Sequence, residues 1–228
     1  MQPNEFSEFL NGISDKPLNL LNPSIPKEEY IPIDLSEANL SRHSINVTST
    51  SKFSAFINQY LQARQATVAY GGYLETRNIY KRSTYFNSGN SEARDIHLGI
   101  DFWCEAETRV YSPLEGKVHS FKNNASLGDY GPTIILKHQI EALEFYTLYG
   151  HLSLESIINL KIGESVKHGD AIGTLGDTDV NGDYPPHLHF QIIKDLQGRQ
   201  GDYSGVCSKT DFHFYKQNCP DPNLLLKL

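Results

Sequence analysis

Two stretches of this chain alternate between apolar and polar side chains with a period of two. In the first, Leu98, Ile100 and Phe102 interleave with His97, Gly99 and Asp101; in the second, Leu188, Phe190 and Ile192 interleave with His187 and His189. Successive side chains of a β-strand point to opposite faces, so each stretch reads as a strand with a greasy side turned to the core and a polar side turned to a cleft. The four-residue spacing of His97 and Asp101 would also suit one face of a helix. Gly99 between them weakens a helix, and the alternation on either side decides for the strand. A chain that brings two such faces to one cleft must be built on a sheet.

The remainder of the C-terminal part agrees. After Gly71-Gly72 the sequence breaks into short runs, among them Val118 to Phe121, Thr133 to Lys137, Phe145 to Leu148 and Leu188 to Ile193, separated by turn-rich pieces such as Asn123-Asn124, Leu127-Gly128-Asp129 and Asn181-Gly182-Asp183. That pattern predicts a mainly β fold with an antiparallel sheet core. Ser153 to Asn159 predicts one helical turn, with Leu154, Ile157 and Ile158 on a shared face. Residues 1 to about 48 carry Pro17, Pro23, Pro26 and Pro32 without sustained periodicity and predict an irregular arm. Phe53, Phe56, Ile57, Tyr60 and Leu61 recur at helical spacing, predicting one amphipathic helix near 51–65 capped by Thr50 or Ser51. The expected organisation is an N-terminal arm over 1–67 and a β domain over 68–228. Asn46-Val47-Thr48 matches a glycosylation sequon, a triplet common by chance, and is given no role.

Imidazole nitrogen and carboxylate oxygen are zinc ligands, and a catalytic zinc takes three from protein and leaves a fourth position to water. His97, Asp101 and one histidine of the His187/His189 pair fill three places, leaving the other histidines for proton transfer. Hydrophobic content of 39% and charged content of 21% in 228 residues are those of a globular domain with its own core, so the three cysteines need not form a disulfide framework. Cys104, three residues after Asp101, is read as a buried free thiol, and Cys207 and Cys219 receive no role. A net charge of −7 without a basic stripe argues against nucleic acid as a partner. No apolar run reaches the roughly 18 to 20 residues of a membrane span, and the acidic start lacks the features of a secretory signal. The expected location is therefore cytoplasmic, or periplasmic or extracellular if a leader has been removed.

Several segments together resemble the lysostaphin and LytM type of zinc metallopeptidase. They are His97-Leu-Gly-Ile-Asp101, Val110-Tyr-Ser-Pro-Leu-Glu-Gly-Lys-Val118, Ile134-Ile-Leu-Lys-His138, Tyr149-Gly-His-Leu152, Gly163-Glu-Ser-Val-Lys-His-Gly169 and His187-Leu-His-Phe190, and the resemblance covers about residues 94 to 194. It implies an antiparallel β core with a long groove, of the duplicated hybrid-motif type, and cleavage of peptide bonds in peptidoglycan cross-links. Carried over position by position, it makes His97, Asp101 and His189 the zinc ligands and His151 and His187 the catalytic pair. Tyr130 stands where such proteins often place a tyrosine that could donate to the developing oxyanion; a groove-wall tyrosine is the competing role. His138 is either a support for the site or a histidine bonded to backbone.

Two departures stand out. The approach to the second strand, Asp177 to Pro186, is acidic and bulky, and Gln191 occupies a position where glutamate is common; both are expected to affect substrate choice rather than zinc binding. Tyr70 to Arg77 and Cys219-Pro-Asp-Pro-Asn223 are similar instead to a peptidase-like module found fused to kinase-like and aminotransferase domains, which implies a cytoplasmic setting. The resulting expectation is a zinc-dependent hydrolase of peptide bonds acting on peptidoglycan fragments or other short peptides. Its alternatives are an intracellular zinc amidase or peptidase on a small substrate unrelated to cell wall, and a non-catalytic regulatory module. Oligomeric state is left open, and the proline-rich arm could serve as an inhibitory pro-segment, a lid or a dimer contact.

Overall fold

In the computed structural model, which describes residues 3–47, 49–82 and 92–228, the two alternating segments lie side by side, with His189 opposite Asp101 and His187 opposite Trp103. The described chain opens with helix α1 (Pro3–Gly12), strand β1 (Tyr30–Pro32), helices α2 (Glu37–Arg42) and α3 (Thr50–Gln62) and strand β2 (Val68–Gly71). Strands β3 (Ile96–His97), β4 (Ile100–Trp103), β5 (Arg109–Tyr111), β6 (Gly116–Asn124), β7 (Gly131–Ile140) and β8 (Leu143–Gly150) follow. Helix α4 (Glu155–Ile158), strands β9 (Ser165–Val166), β10 (Ala171–Thr174), β11 (His187–Ile193) and β12 (Val206–Cys207), and helices α5 (Phe212–Asn218) and α6 (Asn223–Leu226) complete it.

The main sheet has eight strands in the order β1-β2-β4-β11-β8-β7-β6-β9. The mainly β class predicted from the sequence is what forms. All pairings in the sheet are antiparallel except β1 with β2, which makes the sheet mixed. Parallel neighbours need a crossover, and α2 and α3 supply it between β1 and β2.

Residues 3–67 are more regular than their prolines suggest. Pro17, Pro23, Pro26 and Pro32 all lie outside the interiors of the helices, so none of them removes a helical hydrogen bond. In α1, Phe6 and Leu10 sit one turn apart and are 2% and 0% exposed, with Phe6 and Phe9 both set edge-on to Phe145 of β8. Each such burial contributes roughly 1.5–3 kcal/mol. Phe6, Leu10, Leu20 and Leu21 belong to the same apolar cluster as Ile100, Phe102, Leu188 and Phe190 of the central strands. Helix α3 forms close to its predicted span, but no side chain caps it; the Thr50 hydroxyl donates instead to the Asp183 carbonyl at 3.0 Å. Thr48, the last residue of the discarded sequon, lies outside the described residues.

The single strand predicted over 97–102 is two. Strand β3 pairs with β12, whereas β4 pairs with β2 and β11, and the chain changes partner at Leu98-Gly99. A Cβ at Gly99 would stand 2.6 Å from the Phe190 carbonyl oxygen and 2.7 Å from Cε1 of His189, so only glycine lets the second segment pass this close. The helical turn at 153–159 forms as α4 and buries none of its residues; Ile158 is 68% exposed. Cys104, Cys207 and Cys219 are all buried free thiols. Among the described residues, no helix is long and apolar enough to cross a membrane.

Candidate metal centre

His97, Asp101 and His189 meet at the seam between β3, β4 and β11. They are the one group among the described residues whose donor atoms gather as a metal site would require. His97 Nε2 stands 2.9 Å from His189 Nδ1, His189 Nδ1 stands 3.1 Å from Asp101 Oδ1, and His97 Nε2 stands 3.3 Å from Asp101 Oδ1. Three ligands on a tetrahedral zinc with bonds of about 2.0–2.1 Å are separated by about 3.3 Å, so the triangle is within a few tenths of an ångström of that geometry.

Hydrogen bonds on the outer side settle which nitrogens carry protons. Nδ1 of His97 donates to the Gly72 carbonyl at 2.9 Å, which leaves Nε2 as a lone pair. On His189 the partner is Gln191, whose amide nitrogen donates to the Ser204 carbonyl at 3.1 Å and to Cys219 Sγ at 3.2 Å. A carbonyl only accepts, so the Gln191 oxygen must face His189 Nε2, 2.9 Å away, and accept its proton. His189 Nδ1 is then a lone pair as well. Burial pushes the His97 imidazole down to about 4, so it is neutral at pH 7. Burial would raise Asp101, but the Arg77 guanidinium beside it holds its carboxyl well below the usual range. Three lone-pair donors therefore converge with no proton between them, an arrangement that a cation relieves. Two imidazoles and one carboxylate are a donor set that fits zinc, the ion expected from the sequence.

Arg77 completes the support. It is 2% exposed, and it donates from Nη1 to Asp101 Oδ2 at 2.5 Å and from Nε to Glu75 Oε2 at 2.8 Å. This fork occupies one carboxylate oxygen of Asp101 and turns the other toward the histidines. The sequence offered a signal in the Tyr70 to Arg77 segment, but nothing in its pattern tied an arginine 24 residues upstream to Asp101.

His151 and His187 stand beside the triad. His151 follows β8 in a left-handed backbone conformation, φ 63°, which costs a non-glycine residue of order 1–3 kcal/mol. Its amide donates to the Tyr130 carbonyl at 2.8 Å and its carbonyl accepts from Gly176 at 2.9 Å, so the surroundings impose the conformation. The ring donates from Nδ1 to the Asn181 carbonyl at 2.7 Å, and His187 donates from Nδ1 to the Pro185 carbonyl at 2.8 Å. Both keep Nε2 as the unprotonated nitrogen. Their ring centroids are 4.1 Å apart, and burial lowers both, His187 to about 4. All five histidine and aspartate residues line one pocket, together with Arg77, Trp103, Tyr130 and Tyr184.

Other expectations resolve differently. The Tyr130 hydroxyl lies 3.4 Å from His189 Nε2, the outer nitrogen, and its ring packs on His189 and His151 at 5.0 and 5.5 Å. That is a wall of the pocket behind the ligand, and a Cβ at Gly150 would strike the ring at 2.6 Å. Gln191 is fully buried and bonded to His189, so it acts on a candidate ligand and does not face a substrate groove. Of the acidic segment 177–186, Tyr184 lines the pocket and its aspartates do not; Asn181 organises the segment through bonds to Gly176 and Tyr184. His138 bonds to the Glu115 carbonyl and to Thr147, away from the pocket.

Residues 95–202 match the model of peptidase family M23. The matched segment is of the M23 peptidase type. The M23 match spans all five pocket residues expected from the sequence. Among curated relatives, an uncharacterized metalloprotease of Haemophilus influenzae is 35% identical over 96 residues, 42% of this chain and 18% of that protein. Peptidoglycan DD-endopeptidase ShyA of Vibrio cholerae is 35% identical over 104 residues, 45% of this chain and 21% of that protein. The chain thus spans about a fifth of the length of these relatives. The catalytic domain of lysostaphin from Staphylococcus simulans aligns with a TM-score of 0.36 at 24% identity, covering 58% of this chain and 96% of that one.

Proposed function

We propose that this chain is a zinc peptidase that hydrolyses peptide bonds in peptidoglycan-type peptides at the cell envelope. The observation that carries the proposal is the convergence of three unprotonated donors, His97 Nε2, His189 Nδ1 and Asp101 Oδ1, beside two more imidazoles that each keep Nε2 free. The M23 match and relatives named as peptidoglycan endopeptidases support the bond and substrate class. A relative named as a lipoprotein of Escherichia coli supports the envelope over the cytoplasmic setting expected from the sequence.

His97, Asp101 and His189 would hold the metal. Bound zinc supplies Lewis acidity and an acidified water, whose pKa falls toward roughly 7. The chain does the rest. Arg77 keeps Asp101 Oδ1 turned inward, and Gln191 keeps the proton of His189 on the outer nitrogen. His151 and His187 share the proton traffic at Nε2: both nitrogens are bare at rest, so one ring takes the proton of the attacking water, and that same proton, kept on this ring or passed to its neighbour, is the one delivered to the leaving amine. Their Nδ1 bonds to Asn181 and Pro185 hold the rings in the tautomer this requires.

The test pairs metal analysis with turnover of soluble muropeptides and of unrelated peptides. The full chain is expected to hold about one equivalent of zinc, His97→Ala and Asp101→Ala to lose it, and His151→Ala and His187→Ala to keep it while turnover falls about 10²–10⁴-fold. A protein that neither retains nor takes up zinc at neutral pH would overturn the proposal, and cleavage of only the unrelated peptides would overturn its substrate.

A further inference from the structure

Trp103 is the sole tryptophan of the chain and is 1% exposed, at the end of β4 directly opposite His187. Its ring lies flat on the His187 imidazole, with centroids 3.9 Å apart and planes 16° from parallel. On another side it meets Phe53 of α3, centroids 5.1 Å apart at 60°, and Phe53 is itself 1% exposed. Trp103, Phe53, Ile57, Ala69 and Tyr184 form one buried cluster separate from the main core.

We propose that Trp103, held in place by Phe53, is a positioning residue that fixes the plane of the His187 imidazole. The role in turnover rests on the assignment of His187 to proton transfer made above. Among the described residues the His187 ring makes one hydrogen bond, from Nδ1 to Pro185, and its neighbours His151 and Tyr184 lie at 33° and 84° to its plane, so neither holds the ring against rotation about that bond as a parallel face would. A flat indole face removes this freedom, because tilting the imidazole would break contact over its whole area. The indole Nε1 is buried with no hydrogen-bond partner among the described residues, a cost that phenylalanine or leucine would avoid. What tryptophan adds there is the broad face. By this route helix α3, from the N-terminal segment, sets the geometry of the pocket without lining it.

The test uses the full chain loaded with zinc and the variants Trp103→Leu, Trp103→Phe and Phe53→Leu. Removing the aromatic face is expected to lower kcat by at least roughly tenfold with KM and zinc content unchanged. Trp103→Phe is expected to restore most of the loss, and Phe53→Leu to reproduce part of it, which keeps the proposal decidable if Trp103→Leu does not fold. Independently of activity, the ring protons of His187 should resonate upfield in the wild type, because they lie over the indole, and return toward ordinary shifts in Trp103→Leu or Phe53→Leu. Unshifted His187 protons in the wild type, or a folded Trp103→Leu protein with wild-type kcat, would overturn it. If the wild type cleaves no peptide, the proposed function fails and the ring shifts alone decide whether Trp103 fixes His187.

Discussion

Gln191 illustrates how a single amide can decide the state of a candidate metal ligand. Its nitrogen is committed to Ser204 and Cys219, so its oxygen must take the proton of His189 Nε2, and His189 Nδ1 is left bare toward His97 and Asp101. Replacing it with leucine leaves His189 free to carry its proton on the inner nitrogen and to rotate. We expect Gln191→Leu to weaken zinc binding about 10–100-fold, measured by chelator competition; unchanged affinity would show that the ligand needs no outer partner. From the sequence, Gln191 was tied to substrate choice because a departure from a family pattern marks a position without naming its neighbour. Every residue of β11 is buried, so both faces of that strand look inward and the period of two cannot tell core from site.

At the level of elements, the N-terminal segment behaves as part of the sheet and its cores. Strand β1 extends the main sheet, α1 covers Phe145, and α3 backs Trp103. Phe6, Leu10 and Phe53 alone bury side chains worth roughly 1.5–3 kcal/mol each, a large share of the roughly 5–15 kcal/mol that separates folded from unfolded domains. A chain beginning at Ala66 is therefore expected to melt at a much lower temperature than the full chain, or not to fold, with no gain in peptidase activity. A clear gain on truncation, followed by peptide hydrolysis alongside thermal melting, would instead mark the segment as an inhibitory pro-segment.

For the whole molecule, buried neutral histidines tie stability to pH. His138 is fully buried between Glu115 and Thr147, and burial lowers its pKa from 6.5 to about 4. Between those values the unfolded chain binds more protons than the folded one. Its contribution is thus complete above about pH 6.5 and is lost as pH falls toward 4, in total on the order of 3 kcal/mol. Urea unfolding of the metal-free protein at pH 7 and pH 5 should show a smaller pH effect in His138→Gln than in the wild type; equal slopes would exclude His138 as a source. Metal-free protein is specified because His97 and His187, also lowered to about 4, act in the same direction.

The strands, the polar face they share and the histidines and aspartate on it were legible in the sequence, because a period of two and a glycine between ligands are local properties of the chain. Helix α1 was hidden by the prolines that follow it, and β1 by its three-residue length, too short to show any period. Which atom of His97, Asp101 and His189 faces the others, the fork of Arg77 on Asp101, the indole under His187 and the left-handed turn at His151 were decided only by tertiary structure. Each depends on a partner distant in sequence, as Gly72 is from His97 or Asn181 from His151. Hydrogen-bond direction and ring stacking are relations between such partners, and a linear pattern records the residues without recording who meets whom.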